Sequence, residues 1–159
     1  MSSRADASQH ATSFMDALVP PALWALGGAL LQRLFPTRRP PALVRALALL
    51  ILVASAALGI QAVRGFRAHA TTVHPHHIHD VTSLVTDGAH SVSRNPMYTA
   101  LVGGLVSIAL WRGRAAALLP AVAVWGVLHR FQVAPEEAAL AEAFGDEFER
   151  YKEAVPRWL

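Results

Sequence analysis

Four apolar stretches punctuate the chain, at residues 17–31, 46–63, 96–111 and 115–134. Each approaches the ~20 residues that a membrane-crossing helix needs. The second is the cleanest, because residues 46–63 carry no charge and are flanked by Arg45 and Arg64. The first starts at Pro20-Pro21, where a helix tolerates proline, and extends to Phe35 if Arg33 snorkels to the interface. Only Arg112-Gly113-Arg114 separates the last two stretches, so they are predicted to run antiparallel as a helical hairpin. Gly103, Gly104 and Ala109 either let the two hairpin helices approach closely or simply fill the helix.

The tail from residue 135 to 155 differs in kind. It holds seven of the eleven acidic residues. Leu140, Phe144, Phe148, Tyr151 and Val155 recur at helical spacing and form one apolar stripe. Pro135 suits a first helical position, and the helix dipole favours Glu136 and Glu137 in the first turn. The pattern predicts a C-terminal amphipathic helix on the membrane face, packed over the loop at 64–95. Four spans would put the N-terminus, that loop and the tail on one side. Arginine counts do not orient the protein. Arg33, Arg38, Arg39, Arg45, Arg112 and Arg114 fall on one side, and a similar number fall on the other.

Composition agrees with a membrane reading. The chain has 159 residues, enough for one domain, and is 53% hydrophobic, with only 16% charged residues and a mean hydropathy of +0.35. The net charge of +3 comes from scattered arginines rather than a basic run, so nucleic acid is not a predicted partner. With no cysteine, disulfides and thiolate chemistry are excluded. Residues 1–13 lack the apolar core of a signal peptide and are read as a disordered tail. No feature specifies an oligomeric state.

Candidate chemistry concentrates in residues 84–98, LVTDGAHSVSRNPMY, and in Glu136-Glu137. Asp87-Gly88 is a turn signal, and Gly88 has no side chain to keep a ligand from the backbone. Arg94-Asn95-Pro96 closes the loop and starts a helix, whose free N–H groups suit a polar or anionic ligand. Tyr98 adds an aromatic face and a hydroxyl. The adjacent glutamates point about 100° apart, so at most one is expected to face a buried site easily. They are either dipole-favoured surface acids or ligands of a cationic or hydroxyl-bearing cofactor. His74, His76, His77 and His79 crowd one proline-containing loop near Asp80. Metal-binding histidines are expected as separated pairs on helices with acidic outer partners, so no metal ligands are assigned, and a His-metal membrane oxidoreductase stands as an alternative reading beside a non-catalytic membrane binding protein.

Taken in order, these blocks resemble a known group. Leu84-Val85-x-x-Gly88, Arg94-Asn95-Pro96-Met97-Tyr98, a hairpin, Pro135-Glu136-Glu137, Phe144-Gly145, Tyr151 and the final Arg157-Trp158-Leu159 are similar to the isoprenylcysteine carboxyl methyltransferase and phospholipid methyltransferase family of integral membrane enzymes, its bacterial members most closely. The likeness covers about residues 60–159. It implies an all-α integral membrane bundle of about four transmembrane helices, the last two a hairpin, with a C-terminal helix on the cytosolic face. On this reading residues 14–159 form one methyltransferase domain, with its cofactor-binding part from about residue 70. The implied cofactor is S-adenosylmethionine, held by Leu84, Val85, Gly88, His90, Arg94, Asn95, Pro96, Tyr98, Glu136 and Glu137. Arg94 and Glu137 are the implied catalytic pair. The implied partner is a lipid or other lipophilic small molecule, and the implied location is a bacterial inner membrane, with the site facing the cytoplasm.

Three positions depart from the family pattern. Asn95 stands where many members have His, and His90 where Tyr or Phe is usual. Gln132 stands where prenylcysteine-specific members have an Arg four residues before the acidic pair, a group suited to a substrate carboxylate. An amine or phenol acceptor would need a general base, for which His90 and His129 are the candidates.

Overall fold

The computed structural model describes residues 20–68 and 83–159. The polar N-terminal segment and the histidine cluster at 74–79 lie outside these residues. Among the described residues there is no strand. Helix α1 (Pro21–Gln32) leads to α2 (Ala42–Ala68) and then, past the loop with its 3-10 turn at Gly88–Ser91, to α3 (Pro96–Arg112). A second 3-10 turn, Ala115–Leu118, opens α4 (Leu119–Val127). A π-helical stretch, Leu128–Val133, joins α4 to α5 (Ala134–Phe144), and α6 (Asp146–Ala154) follows.

Of the four stretches expected to span, two are helices long and apolar enough to cross a membrane, Ala42–Ala68 and Ala115–Phe144. The first turns one apolar side outward, as a lipid-facing helix does: Leu43 is 81% exposed and Leu50 65%. Helix α1, with 12 residues, is only about 18 Å long, and α3 has 17 residues. Asn95-Pro96 fixes the start of α3, and Gly113 stops it.

The fourth stretch does not end at Ala134. Helical backbone runs without a break from Ala115 to Phe144 and carries Glu136 and Glu137 on its last turns. Pro135 has no N–H, and its ring crowds the carbonyl four residues back. The wide π turn just upstream accommodates it. The single C-terminal helix expected over 135–155 is instead divided at Gly145, whose φ is +49°. The stripe survives the break. Phe148, Tyr151 and Val155 are buried together against Leu140, Ala141, Phe144 and Leu84. The charged residues of α6 remain outside: Asp146, Glu147, Glu149, Arg150 and Glu153 are exposed.

The close approach expected within the hairpin occurs elsewhere. A Cβ on Gly103 would lie 2.2 Å from Ser55 Oγ, so this glycine seats α3 on α2 rather than on α4. A Cβ on Gly104 would meet nothing within 4 Å among the described residues. Ser107 Oγ donates to Ala48 O at 2.7 Å and makes a second tie between the same helices. Helix α1 packs against α3 and α4, where buried Gln32 donates to Leu105 O and Ala117 O at 2.8 and 2.9 Å. The main core lies between these helices, with Leu105, Ala121, Val124, Leu128 and Val133 at its centre.

Candidate functional site

A cavity of about 810 Å³ opens at the end of the bundle where α1 begins and α2 finishes. It contains nine of the ten residues singled out from the sequence: Leu84, Val85, His90, Arg94, Asn95, Pro96, Tyr98, Glu136 and Glu137. Gly88 is the exception. It lies in the exposed turn at φ +55°, with open space beside it, and does not line the cavity.

Two carboxylates organise the polar wall. Glu137 is buried and sits between two arginines. Arg94 Nε reaches Glu137 Oε1 at 3.0 Å, while Arg157 Nε and Nη2 reach Oε2 at 3.0 and 2.6 Å. Arg94 also donates through Nη1 to the carbonyls of Lys152 and Val155, at 3.1 and 2.6 Å. Arg94 therefore ties loop, helix and chain terminus together. Glu136 is held differently. Its Oε1 accepts from Tyr98 Oη at 2.5 Å and from Gln132 Nε2 at 2.8 Å, and among the described residues no cation is a hydrogen-bond partner. The two neighbours thus divide their roles, Glu137 in a charge network and Glu136 in a neutral-donor network.

The terminus locks the loop from outside. Arg94 N donates to Pro156 O at 2.9 Å, and Asn95 Nδ2 to Arg157 O at 3.1 Å. Asn95 spends its amide on this strap and does not cap α3 through its side chain. Ser93 Oγ accepts from Asn95 N at 3.2 Å. Tyr151 Oη donates to His90 O at 2.6 Å, and burial pushes the Tyr151 phenol above its ordinary range, so it stays a donor. His90 itself meets Phe66 of α2 edge to face, with ring centroids 4.8 Å apart.

The other side of the cavity is apolar. Ile60, Val63 and Phe66 of α2 and Leu101 and Gly104 of α3 form it. Sequence reasoning missed the contribution of α2, and also Arg157 as a partner of Glu137. The spacing of Gln132 and Glu136, four apart on a helix, was a readable signal of their contact. His129 does not line this cavity. It stacks with Trp125 and Trp158, at centroid distances of 5.3 and 6.3 Å, and its Nδ1 accepts from Trp158 Nε1 at 3.2 Å. Among the described residues no group of three or more His, Cys, Asp or Glu could hold a metal ion.

Residues 43–147 match the phospholipid methyltransferase family. That is most of the chain, from the start of α2 through the acidic pair and Gly145. The chain belongs to the phospholipid methyltransferase family. An uncharacterized protein of Haemophilus influenzae is 43% identical over 63 residues, which make up 40% of this chain and all of that protein. No solved structure matches. As a member of a family of membrane methyltransferases, this phospholipid methyltransferase relative has two helices suited to a bilayer and one cavity that joins an apolar wall to a polar one. Its departure at Gln132 also acquires a place: the side chain is buried and turned to Glu136, and its Oε1 has no hydrogen-bond partner among the described residues.

Proposed function

We propose that this protein is an S-adenosylmethionine-dependent methyltransferase acting at the membrane on a lipophilic acceptor. The observation that carries the reading is the composition of this cavity, in which Glu136, Glu137, Tyr98 and the start of α3 face an apolar wall from α2 and α3. A volume of about 810 Å³ lies within the range of small-molecule sites and leaves room for a cofactor and part of an acceptor. The donor set fits the cofactor's chemistry. Carboxylates suit an ammonium group or ribose hydroxyls, the N-terminus of α3 suits a carboxylate, and Leu84, Val85 and Phe148 suit an adenine ring.

The bound cofactor supplies an electrophilic methyl group on a sulfonium. Glu136 offers its carboxylate to the polar part of the ligand, held in place by Tyr98 and Gln132. Arg94 and Glu137 act as positioning residues, because their ion pair fixes the loop at 93–95 against the terminus. The apolar wall lines up an acceptor that arrives from the bilayer, and alignment of this kind is worth ~7–11 kcal/mol in favourable cases. The acceptor class comprises an isoprenylcysteine-like carboxylate, a lipid, or a hydrophobic small molecule. An ionised carboxylate would need no base, and of the two histidines considered for an amine or phenol only His90 lines the cavity.

The reading includes a multi-pass protein of the bacterial inner membrane, with this cavity on the cytoplasmic side where the cofactor is made. The test is transfer of labelled methyl from S-adenosylmethionine to the native lipid extract by the full-length protein. Label in the lipid phase, reduced in Glu136→Gln at limiting cofactor, is the expected result. Cofactor binding without turnover on any lipid or thiol would instead mark a binding protein.

A further inference from the structure

The opposite end of the bundle holds a second cavity, also of about 810 Å³. Arg38, Arg39, Arg45 and Arg114 line it, over an apolar floor that includes Val44 and Leu110. Arg33 and Arg112 lie at the same end. No acidic residue occurs between positions 17 and 79 or between 88 and 135, the stretches that build this end. The arginines here therefore have no carboxylates from their own segments to neutralise them.

The surrounding loop is tied down. Arg112 Nη2 donates to Phe35 O and, at 3.4 Å, to Arg33 O, and Arg38 N donates to Arg112 O at 2.9 Å. Gly113, at φ +66°, lets the end of α3 approach so closely that a Cβ there would lie 2.2 Å from Arg38 O. These contacts hold the backbone at 33–38 against the end of α3, beside the cleft that the arginines line. Beside it, α2 turns Leu43 and Leu47 outward, 81% and 46% exposed.

We propose that this cavity binds the phosphate headgroup of an anionic phospholipid, in the leaflet opposite the methyl-transfer cavity. Guanidinium groups match phosphate oxygens in bidentate geometry, and the outward leucines of α2 suit the acyl chains. A free anion would not need the apolar flank, and a neutral lipid would not need four arginines. Basic groups near a membrane surface favour anionic lipid one by one. The inference rests on the chain spanning a membrane and is independent of methyl transfer.

Native mass spectrometry of the full-length protein in uncharged detergent, with phosphatidylglycerol and phosphatidylcholine in competition, tests it. One phosphatidylglycerol should be retained with a preference on the order of tenfold. Raising the salt concentration should erode that preference. Combined Arg38→Gln, Arg39→Gln and Arg45→Gln should abolish it while leaving the thermal unfolding midpoint in detergent unchanged, which reports that the variant folds. Equal retention of the two lipids by the unaltered protein would overturn the proposal. So would a preference that persists in the triple variant, or full displacement of the lipid by inorganic phosphate, which would mark a free-anion site.

Discussion

The two ends of this bundle have cavities of the same size and opposite electrical character. At one end Arg94 and Arg157 are matched to Glu137, and Glu136 is wrapped by neutral donors. At the other, Arg38, Arg39, Arg45 and Arg114 face a cleft with no acid in the neighbouring sequence. Volume alone would treat the two alike. The pairing of charges separates them: a neutralised, hydrogen-bonded wall suits a ligand bearing both charges, and an uncompensated one suits an anion.

The sharpest way to break the comparison is to remove the compensation. Glu137→Ala leaves two arginines without their shared carboxylate, one of them nearly buried, and should destabilise the protein by about 3 kcal/mol. A thermal unfolding scan in detergent would show it, and an unchanged Tm would mean that the network holds nothing. Gly113→Ala at the arginine end should cost about 2 kcal/mol, through a left-handed backbone and the clash with Arg38 O. Because that strain is local, cofactor affinity should be unchanged in the same variant by calorimetry.

Subtler changes at the site end should show in binding rather than in folding. Glu136→Gln keeps the shape and removes the charge, and should weaken the cofactor roughly tenfold, about 1.4 kcal/mol. Tyr98→Phe removes one donor to Glu136 and should weaken it roughly fivefold, about 1 kcal/mol. A larger loss from Tyr98→Phe than from Glu136→Gln would make the hydroxyl, not the carboxylate, the principal contact.

Much of the site end was legible because its residues carry local signals. A glycine turn, Arg94-Asn95-Pro96 and an acidic pair each mark a place, and a short hairpin brings the last back to the first. Other contributions had no such signal. Helix α2 is apolar all round, so its sequence does not say that Ile60, Val63 and Phe66 face a cavity while Leu43 and Leu50 face outward. Gly103 announced a close approach but not its partner, since a missing side chain names no neighbour. The stripe from Leu140 to Val155 keeps helical spacing across Gly145 and so concealed the break there. Arg157 lies in irregular backbone near the terminus, where no periodicity predicts a contact with Glu137.

Cofactor binding in the cavity at the Glu136 end is directly measurable. Isothermal titration of S-adenosylmethionine into the purified full-length protein is the direct measurement. One saturable site per chain, weakened by Glu136→Gln and unaffected by Gly113→Ala, is the expected result. No heat on titration, with Glu136→Gln indistinguishable from the unaltered protein, would contradict it.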